Sequence, residues 1–170
     1  ELDAKGDYGF TAVTLAAKMG KWDVVKLLVA GGARDVGEGF GAFFFWKGLF
    51  GTEQEDQDYV LQMLCKAGFD SGEAFVTGVL SNKVKEMIAA GFDVNAKVDA
   101  GKMGEMVASQ FAGSIAGATP ILLAAMKKST DEVKLLITAG ADLSAMDSDG
   151  KTVRDWMGAK DFDAILADVH

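Results

Sequence analysis

The chain has 170 residues, 49% of them hydrophobic and 25% charged, which describes one globular domain rather than a disordered segment. A formal net charge of -8, with no lysine or arginine cluster above the scattered lysines, argues against a nucleic-acid partner because such a surface repels phosphate. The single cysteine, Cys65, rules out an internal disulfide and fits a reducing compartment. Glu1 in place of an initiator Met points to a processed product or a fragment, and the expected location is intracellular, in the cytoplasm or in an organelle interior after presequence removal.

In chain order, the first predicted unit is residues 9 to 33, GFTAVTLAAKMGKWDVVKLLVAGGA, which read as two short helices joined by a tight turn. Thr11 caps the first helix, Ala16 and Ala17 give it a thin face, Val25, Leu28 and Val29 form an apolar stripe on the second, and Gly32 ends it. Neither helix can bury its stripe alone, so such pairs must stack.

Residues 39 to 50, GFGAFFFWKGLF, hold Phe40, Phe43, Phe44, Phe45, Trp46 and Phe50, six of the sixteen aromatic residues in the chain. The run is broken by Lys47 and Gly48 and is about half the ~20 residues a membrane-spanning helix needs. A buried helix, a docking patch and an interfacial contact stay open; counting from Gly32 puts Leu49 and Phe50 at the paired-alanine positions, where bulky side chains would overpack an unchanged stack. Six aromatics around one turn and its approach cannot share one side, so Phe44 and Leu49 are expected inward with Phe43 and Trp46 at the surface. An acidic run, TEQEDQD, follows at 52 to 58.

Helix-ending glycines recur at Gly68 in LQMLCKAGFD, where Cys65 lies on the apolar stripe, and at Gly91 in VKEMIAAGFDVNA. From Gly32 to Gly140 the steps are 36, 23 and 49 residues, so one middle unit is shortened and the next carries an insertion, VDAGKMGEMVASQFAGSIA at 98 to 116. Residues 117 to 141, GATPILLAAMKKSTDEVKLLITAGA, then match residues 9 to 33 without a gap, pairing Thr11 with Thr119, Ala16-Ala17 with Ala124-Ala125, Val25-Lys26-Leu27-Leu28 with Val133-Lys134-Leu135-Leu136 and Gly32-Ala33 with Gly140-Ala141. Pro120, the only proline, falls at the first helical position, where its missing N–H costs nothing.

Catalytic and cofactor chemistry has little to stand on. Gly37-x-Gly39-x-x-Ala42 has the spacing of a dinucleotide loop, but the run before it is the second helix of the repeat rather than a strand. DSDGKT at 147 to 152 lacks the glycine of a phosphate loop, where Ala145 stands, and the oxygen ligands of a calcium loop. The only histidine, His170, has no Cys or second His at motif spacing, so no zinc site or histidine-activated nucleophile assembles, and Asp161 and Asp163 read as a solvated face. Trp22 and Trp156 read as packing residues within repeat helices.

The stretch GATPILLAA…VKLLITAGAD, from Gly117 to Asp142, resembles the ankyrin repeat, with its Gly-x-Thr-Pro-Leu opening, paired alanines, Val-x-Leu-Leu stripe and closing Gly-Ala-Asp; Gly150-Lys151-Thr152 restarts the unit 33 residues after Gly117, the ankyrin period. The resemblance implies an all-α helical solenoid of about four to five degenerate repeats with a long inserted finger, in units of roughly 7–35, 36–70, 71–96, 97–145 and a polar terminal cap at 146–170. It also implies a non-enzymatic scaffold or interaction module, without cofactor or metal, gripping a protein through its fingers and first helices. Function on a solenoid resides in departures from the repeat, which puts the expected partner contacts at Phe40, Phe43, Phe45, Trp46, Phe50, Met103, Met106 and Phe111. Apolar residues flanked by negative charge suit a partner with an apolar groove and a basic rim. The alternatives are a small subunit fixed on a larger complex, such as a photosynthetic or respiratory membrane assembly, with peripheral membrane contact, and, last, a nucleotide-binding enzyme.

Overall fold

The computed structural model describes residues 1–6, 9–35, 48–49, 51, 53–66, 68–99 and 107–169. Among these residues it forms nine α-helices and no strand: α1 (Ala12–Lys18), α2 (Trp22–Ala30), α3 (Gln54–Lys66), α4 (Ser71–Leu80), α5 (Val84–Ala90), α6 (Pro120–Met126), α7 (Thr130–Thr138), α8 (Val153–Met157) and α9 (Ala159–Val169). Successive helices pack as antiparallel pairs, α1 with α2, α4 with α5, α6 with α7 and α8 with α9. The second members form one continuous row, α2 on α3, α3 on α5, α5 on α7 and α7 on α9, while α4, α6 and α8 form the row of first helices. This is the helical solenoid expected from the sequence.

The same local chemistry builds each pair. Within the first, the turn is closed by Gly20 N–H to the Ala17 carbonyl and Lys21 N–H to that of Ala16; Asn82 and Lys83 repeat these bonds onto Val79 and Gly78, and Lys128 and Ser129 onto Ala125 and Ala124. The central residue is left-handed in all three, at φ 67° for Gly20, 56° for Asn82 and 58° for Lys128, so stacking holds even a lysine in a conformation it disfavours. Second helices also end alike. Gly140 donates to the Ile137 carbonyl and Ala141 to that of Leu136 at φ 88° for the glycine, and Gly32, Gly68 and Gly91 repeat the pattern at φ 98°, 79° and 91°.

The core runs unbroken through the stack, its largest fully buried side chains including Leu49, Leu61, Leu64, Phe75, Met87, Leu122, Leu123 and Leu136. Gly48 lies against the Ala17 carbonyl and the Trp22 ring, so residues 48 and 49 sit beside α1 as a first helix would, and Leu49 is buried as expected from its register. The acidic run becomes the start of α3, where Glu55 and Asp56 meet the positive end of the helix and Asp56 pairs with Lys26 of α2. Shortening of the middle unit spares its helices: only residues 67–70 separate α3 from α4, and Asp70 caps α4 by accepting from Glu73 N–H at 2.7 Å. A Cβ on Gly72 would stand 2.4 Å from the Lys97 carbonyl oxygen, so α4 reaches the next loop only through the absence of a side chain there.

Candidate functional site

On the edge where second helices hand over to the next unit, the loops line up as fingers: 31–35, the short 68–70, 91–98 and 139–151. Each is locked to its neighbour or to itself by a carboxylate or amide side chain. Asp3 Oδ1 accepts the N–H groups of Arg34 and Asp35 at 2.8 and 2.9 Å, and Asn95 Oδ1 accepts Asp142 N–H at 2.8 Å while its amide donates to the Gly140 carbonyl at 3.3 Å. Asp93 accepts from Asn95 N–H, and its own N–H reaches Ser71 Oγ at 3.1 Å. Asp142 accepts from both the hydroxyl and the N–H of Ser144.

The last finger is the most elaborate. Asp147 is buried; its Oδ1 accepts Asp149 N–H and Lys151 N–H, each at 2.9 Å, its Oδ2 accepts the Trp156 indole N–H at 2.8 Å, and Lys151 Nζ lies 4.3 Å from the Trp156 ring centre. DSDGKT is therefore a self-bonded turn. Burial alone would push the Asp147 carboxyl up, but the Lys151 N–H, the Trp156 indole and the Asp149 N–H outweigh it, with the Lys151 charge, and hold it below its ordinary value. Asp3 is held low by the Asp35 and Arg34 N–H groups, and Asp142 by the hydroxyl and then the N–H of Ser144. These carboxylates stay charged well into the acid range. The chemical result is a row of negative charge in which Asp93 and Asp142 are anchored and exposed, Asp149 is exposed, and Met146 is the exposed apolar residue among them.

Of the residues expected to touch a partner, Phe40, Phe43, Phe45, Trp46, Phe50, Met103 and Met106 lie outside the described residues, as do Phe44, the Gly37 loop and His170. Phe111 is placed, and it is not on the contact surface: only 8% of it is exposed, and it joins Val107 and Ile115 in the core. The reason is visible at the base of the insertion, where Val98 and residues 117–118 exchange backbone bonds of 2.9 and 2.8 Å and turn the described part of 98–116 back onto α6 and Trp156. Trp22, Trp156 and Cys65 are half-buried against the core, as expected of packing residues. Asp161 and Asp163 are exposed, and Asp163 pairs with Arg154. Among the described residues no group of three or more His, Cys, Asp or Glu could hold a metal ion, and no helix is long and apolar enough to cross a membrane. The finger carboxylates were missed in the sequence because single aspartates in loops are commonplace; Asp93-x-Asn95 after Gly91 and Asp142-x-Ser144 after Gly140 were the available signal.

A sequence model of the ankyrin repeat matches residues 8–37 and 116–148, the two stretches whose helix pairs and glycine endings are described above. The chain carries ankyrin repeats. No curated protein matches it. Ankyrin repeats generally mediate protein–protein interaction, and the family is typically non-enzymatic.

Proposed function

We propose that this ankyrin chain is a non-enzymatic binding module that grips a protein partner along its finger edge, and that the partner offers an apolar groove rimmed by lysine or arginine. The observation that carries this reading is the acidic row of anchored Asp93 and Asp142 with exposed Asp149, and Met146 exposed beside it. The carboxylates of Asp93 and Asp142, already fixed by backbone N–H bonds, lose little freedom on binding, and negative charge along an edge speeds encounter with a basic partner. The aromatic run Phe40 to Phe50, with Met103 and Met106, is the proposed second contact, on its sequence alone.

The test begins with capture on the immobilised intact chain and identification by mass spectrometry, followed by calorimetry on the purified partner. Asp149→Lys with Met146→Asp should weaken binding about tenfold or more, and affinity should fall with added salt, while Asp161→Asn in the cap leaves it unchanged. Equal affinity for the finger variant and the parent chain would defeat the finger reading.

A further inference from the structure

Helix α6 is buried along its whole length, from Pro120 to Met126. At the matching repeat positions, α1 exposes Ala12, Leu15 and Lys18 along one stripe. For Met126, the counterpart of Lys18, the cover is identified: a Cβ on Gly113 would stand 3.9 Å from Met126 Cε and 2.9 Å from the ring of Trp156 on α8. The insertion thus lies against two first helices, and only a bare glycine lets it come so close. Val107, Phe111 and Ile115, four residues apart, are buried with it, while Ser109, Gln110, Ala112 and Ser114 between them are exposed.

The seat and the segment that fills it are held in different ways. Three partners fix Trp156: its indole N–H donates to Asp147 at 2.8 Å, Lys151 Nζ lies 4.3 Å from the ring centre, and its carbonyl accepts from Lys128 Nζ. Every finger is likewise locked by polar bonds. Residues 109–116 are held by apolar burial, and the backbone bonds described for them gather at the base, where Ala118 N–H reaches the Ile115 carbonyl at 3.1 Å beside the exchange between Val98 and residues 117–118. The repeat is also complete without the segment, since residues 117–141 match 9–33 without a gap. Lifting it leaves the helix pairs and their turns intact, which places it at the low-stability end of the molecule.

We infer that residues 107–116 are a strap that holds shut an apolar peptide site on the first-helix row, at Met126 and Trp156. In place of the strap the site takes a partner segment with an aromatic and a branched aliphatic residue four positions apart. The chemistry of that occupant is read from the segment already seated, in which Phe111 and Ile115 flank the glycine against Trp156. Strap and partner compete for one seat, so the closed strap weakens the partner's apparent affinity in proportion to the time it spends down. The site is separate from the finger edge and does not rest on it.

The probe is a peptide of residues 107–116, VASQFAGSIA, titrated by calorimetry into the intact chain. Phe111→Ser with Ile115→Ser, which loosens the strap, should bind the peptide about tenfold or more tightly than the parent chain does. Adding Met126→Lys, the residue of the first copy, should abolish that binding, as should alanine in place of the phenylalanine of the peptide. Equal affinity for parent and loosened chains, no binding by the loosened chain, or binding that survives Met126→Lys would overturn the inference. A loosened chain that fails to fold would overturn it too, because the segment would then be indispensable core. Chymotrypsin tests the parent chain directly: a cut after Phe111 should appear in urea well below the unfolding midpoint, and a cut that appears only through the unfolding transition would show that no strap lifts.

Discussion

The two copies at 9–33 and 117–141 share their helices, their turn and their glycine ending, but not their environment. Position for position, Leu15 and Leu123 are the same residue in the same helix, one half exposed and the other fully buried. At the helix caps, Thr11 accepts Thr14 N–H and donates its hydroxyl to the Asp35 carbonyl at 2.8 Å, while the hydroxyl of Thr119 is buried with no hydrogen-bond partner among the described residues. Where the first copy has Val24, the second buries Glu132, whose two carboxylate oxygens likewise have none. The comparison teaches that repeat sequence sets local shape, and neighbours set what each position contributes.

The sharpest way to break the equivalence is at the leucines. Leu123→Ala should destabilise the fold by about 2–5 kcal/mol, since the cavity opens inside a fully packed stack, while Leu15→Ala costs less than about 1 kcal/mol. Chemical denaturation of the two variants checks this; equal losses would mean that the open face of the first copy is covered after all.

Next comes the buried acid. Glu132→Val, which installs the residue of the first copy, should stabilise the chain by about 1–3 kcal/mol at neutral pH by removing an unpartnered carboxylate. Burial raises the Glu132 pKa above its ordinary 4.5, against the opposing pull of Ser129, whose hydroxyl lies outside hydrogen-bonding geometry, and of the Lys127 charge. The folded chain therefore holds this proton more tightly than the unfolded one. The contribution of Glu132 to stability is full below about pH 4.5 and is lost as pH rises through the raised folded value. In the valine variant that decline with pH should disappear from a series of melting curves.

Gly140→Val should cost about 1–2 kcal/mol. No atom lies within 4 Å of the added Cβ, so the loss would come from the left-handed backbone at φ 88° and not from a clash. Gly32→Val, at φ 98°, should match it, because the helix ending is one of the features the copies share. An unchanged melting temperature in either variant would show that the turn can relax.

The smallest effects are expected at the caps. Thr11→Ala should lose about 1 kcal/mol with its two bonds, and Thr119→Val should be neutral or slightly stabilising, since its buried hydroxyl bonds to nothing described. Thermal melts of the pair resolve the sign.

By itself the sequence determined the helix pairs, the interhelix turns and the glycine endings, because each is closed by hydrogen bonds spanning only three to five residues, such as Gly20 to Ala17 or Ala141 to Leu136. It also placed Leu49 correctly, since the register runs on through a degenerate unit. Tertiary structure decided the rest. Phe111 reads as an exposed aromatic in an insertion until the backbone exchange between Val98 and residues 117–118 folds the loop onto the core. Asp147 reads as one of several surface acids until the Trp156 indole, nine residues on, reaches its second oxygen. Leu15 and Leu123 cannot be told apart in any local window, because burial is fixed by neighbouring units: α4 and α8 both pack on α6, whereas the described helix that packs on α1 is its own partner α2.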